Sequence, residues 1–540
     1  MQKVAPLPDI RIEVPEKTNI AWEACDRRVE EGKGDRVFLY YEDKEITYKE
    51  LQTLQNRIGN ALKKMGISKG DSVIFRAANC PEMFASLLAT MKVGAVAIPS
   101  QTLFGEREVE HIINNSDAIL AFTDPEHIAA IEAVMSKCPT LKHIVIFGKA
   151  KGAQIAFGDF IKDASDKLEC VDTRCDDIAY ILYTSGTTGM PKGVVRNHKE
   201  PYTTGIPYTR WCALSADDII MHPQEMSFEY VIGTLSGVIY SGCRMVLYSG
   251  RTAPEKVLEH VEKYKVTKLA GVPSLYRMIL GIKDFEKEYD LSSLKCLMSA
   301  GEPLPASTYE ELKERLGVEC YDTIGQTECC MICGERPTFF VKPGSMGKPY
   351  PGLPIAIVDD EGNYCPPNTI GRLVIKEDNP VLFVEYKKMP EKWAETHHLP
   401  GWYDTGDLAY YDEDGYFFHA GRSDDMIKSR AYLIGPKEVE ETIVEVPEVL
   451  EAAVVGAPDP VTETRVKAFI TLRTGAKPTK EFADKIRGYV RGRIAPYKVP
   501  RDIEFVDELP KSPTGKLLRR ELRRLEKERY NNGEIAGFRF

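Results

Sequence analysis

Along the first three hundred or so residues the hydrophobic pattern alternates between helix and strand periods, and that alternation confines the chain to wound, largely parallel sheets with helices on their faces. Thr47 and Glu50 have capping-box spacing, and Leu51, Leu54, Ile58, Leu62 and Met65 then recur every three or four residues as far as Gly66. That is the pattern of one buried helix face. Apolar runs at Val73–Phe75, Ala95–Pro99 and Ile119–Phe122 flank a helix signal over Pro81–Lys92. The same grammar continues through strands at Ile178–Tyr183, Leu294–Met298 and Glu319–Thr323, with a helix over Pro273–Ile282. The expected fold class is therefore α/β, with a large N-terminal domain of parallel sheets. Ligands of open α/β sheets sit beyond the carboxyl ends of strands, so the loops Thr184–Gly193, Ser299–Pro305 and Ile324–Glu328 are expected to converge.

From about Pro343 the texture changes to frequent Gly and Pro with short apolar runs, Ile355–Val358, Leu373–Ile375 and Tyr416–Ala420, predicting a small antiparallel β unit. A smaller α+β domain follows Arg422. Its signals are a helix near Pro436–Val446 and a hairpin in which Ala452 and Val454 alternate against Val466, Ala468 and Ile470, joined through Pro458, Asp459 and Pro460. The stretch Lys511–Arg529 is rich in Lys and Arg with interspersed Glu and reads as a solvated helix face.

Composition bounds the function. With 71 Lys and Arg against 81 Asp and Glu, the net charge of −10 disfavours a nucleic-acid surface, which demands many unopposed cations. Small-molecule chemistry is the better expectation. Thirteen cysteines without framework spacing, and an N-terminal stretch carrying Asp9, Glu13 and Glu16, predict a reduced, cytoplasmic protein. The longest uncharged stretches, Val93–Gly105, Ile178–Pro191 and Val231–Cys243, fall short of the roughly 18 apolar residues a membrane span needs.

One segment carries most of the chemical information. Tyr183-Thr184-Ser185-Gly186-Thr187-Thr188-Gly189-Met190-Pro191-Lys192-Gly193 follows a strand candidate and gathers hydroxyls, glycines and one lysine in a short loop. Such a loop can present backbone N–H groups and hydroxyls to phosphate oxygens, with the lysine as counter-charge. It is not a Walker loop, because Lys192 stands between Pro191 and Gly193.

This segment matches in full the phosphate loop of the adenylate-forming superfamily, which the chain strongly resembles: acyl-CoA synthetases, luciferases and adenylation domains. Five further motifs appear in the family's order. They are Ser299-Ala300-Gly301-Glu302-Pro303, Ile324-Gly325-Gln326-Thr327-Glu328, Tyr403-Asp404-Thr405-Gly406-Asp407, Gly421-Arg422-Ser423-Asp424-Asp425 and Pro510-Lys511-Ser512-Pro513-Thr514-Gly515-Lys516. The resemblance covers essentially the whole chain. It implies a two-step reaction in which a carboxylate attacks the α-phosphate of Mg-ATP, giving acyl-AMP and pyrophosphate, and a thiol then displaces AMP. It implies a small carboxylic acid, ATP, Mg²⁺ and coenzyme A as partners, with a homodimer left open. It also implies an N-terminal adenylation domain over 1–421, a hinge over 422–426 and a mobile C-terminal domain over 427–540.

The resemblance implies roles residue by residue. Lys516 is the catalytic cation of the ATP step; Thr184 contacts phosphate and Lys192 balances the leaving pyrophosphate. Nucleotidyl transfer needs charge neutralisation and positioning more than covalent help, which suits such groups. Ser185, Gly186, Thr187, Thr188 and Gly189 complete the phosphate loop. Gly301, Glu302 and Pro303 line the adenine, with Tyr321, Asp322, Thr323 and Thr327 also on the nucleotide. Glu328 holds the metal, Asp407 and Arg422 hold the ribose, and Asp424 is the hinge. Lys428, Ser429, Arg430 and Ala431 border the coenzyme A tunnel.

Three positions after the hinge, Arg430, Ala431 and Leu433, depart from the usual KSSGYRIGP. The methyl of Ala431 stands where a glycine meets pantetheine in the family. That departure keeps a carrier-protein pantetheine as an alternative acceptor, and a silent nucleotide-binding regulator and luciferase-like oxidation are further rivals. For the acyl pocket the resemblance points to Ile324 and Gly325, with Phe228, Tyr230 and Met331 as candidate apolar lining and His222 just before that region. Gly325 stands where acetate-specific relatives carry a tryptophan, so it is expected to leave a cavity. Ile324 resembles aryl-acid ligases, which favours benzoate or an alicyclic acid over acetate, with a branched or medium-chain acid left open. His222 either gates the pocket or is a packed, hydrogen-bonded histidine, and Glu229 has no assignment. Cys330 and Cys333 have CxxC spacing near Cys320 and Cys329, and buried free thiols are favoured over a zinc or redox site.

Overall fold

Thr47 starts the first long helix, Tyr48–Lys64, with both capping-box bonds made: its side chain accepts from the Glu50 N–H, and the Glu50 carboxylate accepts from the Thr47 N–H. Such a cap contributes about 1 kcal/mol. Leu51, Ile58 and Leu62 lie on the buried face. The next helix, Pro81–Lys92, is buried all round, and Lys92 ends it fully enclosed, bonded to Asp26 and Asn56 at 2.7 Å each. A charge that deep is tolerated because it is paired and hydrogen-bonded.

The computed structural model describes residues 12–184, 190–350, 352–429, 432–459, 463–511 and 517–534. They form two compact units, Met1–Ile355 with Ile375–Tyr403, and Ala356–Val374 with Asp404–Phe540. Residues 404–421 thus group with the chain that follows them.

Among the described residues the first unit carries two large sheets. One has seven strands in the order Ile155–Ala156, His143–Ile146, Ala118–Thr123, Ser72–Arg76, Val96–Pro99, Ile178–Thr184 and Lys192–Asn197. All neighbours are parallel except the last two. The other has nine strands, with parallel neighbours at its centre that include Lys268–Gly271, Cys296–Ala300 and Glu319–Ile324. The strand expected at Leu294 begins instead at Cys296, because the Leu294 N–H closes a turn on the Leu291 carbonyl.

Ile355–Val358, Gly371–Lys376, Trp402–Tyr411 and Phe417–Arg422 form a four-stranded sheet, most of whose residues belong to the second unit. The terminal hairpin Val449–Asp459 and Glu463–Leu472 has the expected register, Ala452 opposite Ile470 and Val454 opposite Ala468. The strand Asp502–Phe505 adds to it in parallel.

The basic terminal stretch departs in part from the solvated-face reading. The helix Arg519–Asn531 packs Leu522 against Ala453, Val455, Phe469 and Leu509. Its Glu526 is 3% exposed and bonds Lys467 at 2.8 Å, which also bonds Glu504 at 2.7 Å. Arg529 completes the network on Glu504 and Glu526. Glu526 and Arg529 thus belong to an interior charge network, while Arg524, Lys527 and Glu528 face solvent as the charge pattern predicts.

Candidate active site

The phosphate-loop segment joins two antiparallel strands at the edge of the seven-stranded sheet. Its ends are fixed by register, with Thr184 opposite Lys192 and Tyr183 opposite Gly193. Gly193 admits no side chain, since a Cβ there would stand 2.9 Å from the Tyr183 ring. Lys192 Nζ lies 5.0 Å from the centroid of the Tyr386 ring. Ser185, Gly186, Thr187, Thr188 and Gly189 lie outside the described residues.

The Glu328 turn meets this hairpin. Gln326 N–H donates to the Cys330 carbonyl at 3.1 Å and Cys330 N–H donates back to the Gln326 carbonyl at 2.7 Å, closing the turn with Cys330 in the left-handed region, φ 54°. The Glu328 side chain accepts from the Tyr386 hydroxyl at 2.8 Å. Its carbonyl accepts from the Phe383 N–H and from Arg196 Nη1, both at 2.8 Å. Residues 383–387 are tied to the hairpin strand by backbone bonds, Val195 N–H to the Glu385 carbonyl at 3.0 Å and Lys387 N–H to the Gly193 carbonyl at 2.8 Å. Beneath the turn Arg196 is fully buried and paired with Glu200 at 2.5 Å. Glu229 lies beside them; burial pushes its carboxyl pKa up, with the Arg196 charge opposing.

Gly325 requires a correction to the sequence reading. A Cβ there would fall 1.5 Å from the Cys330 carbonyl oxygen. The glycine therefore serves the closed turn and leaves no cavity, because backbone fills the space a side chain would need.

The other two loops leave neighbouring strand ends. Ser299 pairs with Asp322 and Ala300 with Thr323, so the Ser299–Pro305 and Ile324–Glu328 loops emerge side by side, as the wound-sheet rule expects. Gly301 has φ +89°, a conformation that favours glycine. Glu302 accepts from the Ser274 hydroxyl at 3.2 Å and lies 3.5 Å from Arg277, and Pro303 is exposed. Asp322 accepts from the Leu304 N–H at 3.4 Å. Tyr321 is buried, and Thr323 spends its hydroxyl on the Cys333 carbonyl at 2.7 Å. Thr327 is half-buried on the Glu328 turn.

In the second unit Asp407 stands opposite Arg422 across an antiparallel pair, with Arg422 Nη1 3.3 Å from its Oδ1 and His419 Nε2 at 3.2 Å from the same oxygen. Asp407 is buried, so the pair is not a surface accident. Asp425, beside the hinge candidate Asp424, is held by Arg523 at 2.6 Å and Arg519 at 3.4 Å. Ser429 donates to the Thr464 carbonyl at 2.6 Å. Of Asp424 and Lys428 the backbone alone is described, and Arg430, Ala431 and Lys516 lie outside the described residues.

Of the acyl-pocket candidates, His222 is packed and hydrogen-bonded, its ring nitrogens 2.9 Å from Thr234 Oγ1 and 3.0 Å from Gln224 Oε1 and its ring 4.2 Å from that of Tyr230. Burial lowers its pKa to about 4, so it is neutral at pH 7. Tyr230 donates to the Met298 carbonyl at 3.0 Å. Phe228 and Ile324 are half-buried and Met331 is buried. None of the six lines the apolar cavity of about 30 Å³ between the helices Pro81–Lys92 and Glu229–Ser241. Cys320, Cys329, Cys330 and Cys333 are buried free thiols.

Tyr386, Arg196 and Glu200 were not among the sequence candidates. Their link to Glu328 spans 58 residues for Tyr386 and 132 for Arg196, and no local motif encodes it. A charged residue following the apolar Val194-Val195 pair was the one available signal for Arg196.

Residues 25–383 match the model of the AMP-binding enzyme family, and residues 438–516 match the AMP-binding enzyme C-terminal domain. The chain is 37% identical over 529 residues to an acetyl-coenzyme A synthetase of Bacillus subtilis (strain 168), covering 94% of this chain and 91% of that protein. Among solved structures it is similar to the anthranilate CoA ligase AuaEII in complex with anthranoyl-AMP, with TM-score 0.90 and 33% identity over 96% of this chain and 99% of that one. It is also similar to a benzoate CoA ligase from Burkholderia xenovorans LB400, with TM-score 0.84 and 28% identity over 94% of this chain and 99% of that one. The phosphate-loop hairpin, the Glu328 turn and these likenesses lead to one conclusion: the chain belongs to the AMP-binding enzyme family and is an AMP-forming acyl-CoA ligase that uses ATP, Mg²⁺ and coenzyme A.

Proposed function

We propose that this ligase activates a carboxylic acid larger than acetate, with a compact cyclic acid such as benzoate or an alicyclic carboxylate as its preferred substrate. The observation that carries the proposal is the half-buried Ile324 beside the closed Glu328 turn, in a chain that aligns over nearly its whole length with ligases named for anthranilate and benzoate. An acid panel tests it: benzoate or cyclohexanecarboxylate should support faster coenzyme A-dependent AMP release than acetate, and preference for acetate would refute it.

In the proposed mechanism Thr184 and Lys192, fixed opposite each other at the mouth of the hairpin, bind the ATP phosphates and neutralise the leaving pyrophosphate. Lys516 supplies the second cation at the bridging oxygens, so the acid's carboxylate meets an α-phosphorus whose developing charge is already opposed. Asp407 and Arg422 orient the ribose through acceptor and donor groups. Among the described residues no three His, Cys, Asp or Glu side chains are grouped to cage a metal, and Glu328 offers one oriented carboxylate. That donor set fits Mg²⁺, which keeps several waters and is held chiefly by substrate phosphates. When bound, the ion supplies charge neutralisation on those phosphates.

The residues 422–426 act in this scheme as the hinge between an adenylation domain over 1–421 and a mobile domain over 427–540, with Asp424 as its pivot. Lys428, Ser429, Arg430 and Ala431 border the thiol's approach. No helix among the described residues is long and apolar enough to cross a membrane. All thirteen cysteines are unbridged, which supports a reduced, cytoplasmic setting. A homodimer is compatible with this reading and is tested by sedimentation of the purified protein.

A further inference from the structure

We infer that Tyr386 is a positioning residue shared by the two charged groups of the ATP site, fixing the Glu328 carboxylate through its hydroxyl and the Lys192 ammonium through its ring. The inference rests on the roles proposed above for Glu328 and Lys192. The hydroxyl donates to Glu328 Oε1 at 2.8 Å, and Lys192 Nζ stands 5.0 Å from the ring centroid. One 3% exposed side chain thus meets both a cation on a strand of the seven-stranded sheet and a carboxylate in the turn between two strands of the nine-stranded sheet.

The ring is packed where it stands. It packs edge-on against Phe383, with centroids 4.6 Å apart, and Phe383 itself packs against Trp393 and Tyr403. The backbone of the same segment is tied to the hairpin at Val195 and Gly193 and to the Glu328 carbonyl at Phe383. A carboxylate that accepts a directed O–H bond loses rotational freedom before any ligand arrives, so less entropy is lost when the ion binds. The ring face meanwhile attracts a cation, and Lys192 Nζ stands 5.0 Å from its centroid. Tyr386 thereby contacts both the carboxylate proposed for the metal and the cation proposed for phosphate.

The test separates hydroxyl from ring. Tyr386→Phe keeps the ring and removes the bond to Glu328; Tyr386→Leu removes both. ATP binding is measured by calorimetry in the absence of any acid, so that no turnover occurs, with Mg²⁺ and with excess chelator. In Tyr386→Phe the gain in ATP affinity that Mg²⁺ confers should shrink by about tenfold, the scale of one hydrogen bond to a charged group, while metal-free ATP binding stays within twofold. In Tyr386→Leu metal-free ATP binding should also weaken, by about threefold, as Lys192 loses its ring. The KM for the acid and the thioester step from supplied acyl-AMP should be unchanged in Tyr386→Phe.

Equal weakening with and without Mg²⁺ in Tyr386→Phe, or no change in either, would overturn the inference. A Glu328→Gln control distinguishes that failure from failure of the metal reading: if Glu328→Gln keeps the full Mg²⁺ gain, the role of Glu328 is wrong whatever Tyr386 does. A double variant, Tyr386→Phe with Glu328→Gln, should be no worse than Glu328→Gln alone, because the hydroxyl acts only through the carboxylate. Additive losses in the double variant would also overturn it.

Discussion

Asp407 faces Arg422 across an antiparallel strand pair, with the guanidinium Nη1 3.3 Å from the carboxylate Oδ1. The arginine is anchored as well by the Thr405 carbonyl at 3.0 Å, so donor and acceptor are presented together on one edge. Asp407→Asn keeps the size of the side chain and removes its charge. It should raise the KM for ATP about tenfold, the scale of a charged hydrogen bond to the ribose, while the KM for the acid moves less than twofold. Equal changes in both constants would show that the pair serves folding alone, and thermal denaturation of the variant provides the check.

Gly325→Ala places a methyl into the Cys330 carbonyl, where even the Cβ position is 1.5 Å away. The turn must open, so this small substitution should cost about 1–3 kcal/mol of stability and lower adenylation strongly with every acid. Thermal denaturation and pyrophosphate release measure the two effects. A stable Gly325→Ala enzyme with an altered acid preference would show that the residue borders the acyl pocket after all.

Lys516→Ala should slow acyl-AMP formation by at least about a hundredfold, the scale of losing one preorganised charge-stabilising group. The thioester step from supplied acyl-AMP should proceed close to the wild-type rate, since the proposed role lies in the ATP step. Rapid-mixing assays of the two half-reactions decide the matter, and equal losses in both would remove Lys516 from that role.

His198 gives a pH prediction with a defined sign. Burial depresses its pKa to about 4, with Asp177 opposing, and its Nδ1 accepts from the Ile20 N–H at 3.1 Å. In the unfolded chain the imidazole titrates near 6.5, so between about 6.5 and 4 the unfolded state binds more protons. The neutral histidine's contribution is therefore complete above pH 6.5 and is lost as pH falls toward 4. Compared with a His198→Gln variant, which cannot titrate, the stability advantage of the wild type should shrink between pH 7 and 4.5 in denaturant melts. A pH-independent difference would contradict the assignment.

Local features were legible wherever the determining residues are neighbours in sequence. The Thr47–Glu50 box, the terminal hairpin register and the ordered motifs each sit within a few residues or on one alternating strand, and the sheet rule then set the Ser299–Pro305 and Ile324–Glu328 loops side by side. Relations carried by distant residues were not legible. Tyr386 reaches Glu328, and Arg196 reaches the Glu328 carbonyl, only after two sheets and the 383–387 segment have been assembled. Gly325 misled for the same reason: the carbonyl that fills its side-chain space belongs to a turn whose closure depends on the left-handed Cys330. The charged helix Arg519–Asn531 has the expected solvated side at Arg524, Lys527 and Glu528, but its buried Glu526 was not legible because the partner, Lys467, lies on a strand far back in the chain.

The most direct measurement is an acid panel with Mg-ATP, following pyrophosphate and AMP with and without coenzyme A. It should include acetate, butyrate, octanoate, benzoate and cyclohexanecarboxylate. Coenzyme A-dependent AMP release that is fastest with benzoate or cyclohexanecarboxylate is the predicted result. Fastest turnover with acetate would contradict the proposed substrate class, and acyl-AMP that accumulates with coenzyme A present would contradict free coenzyme A as the acceptor.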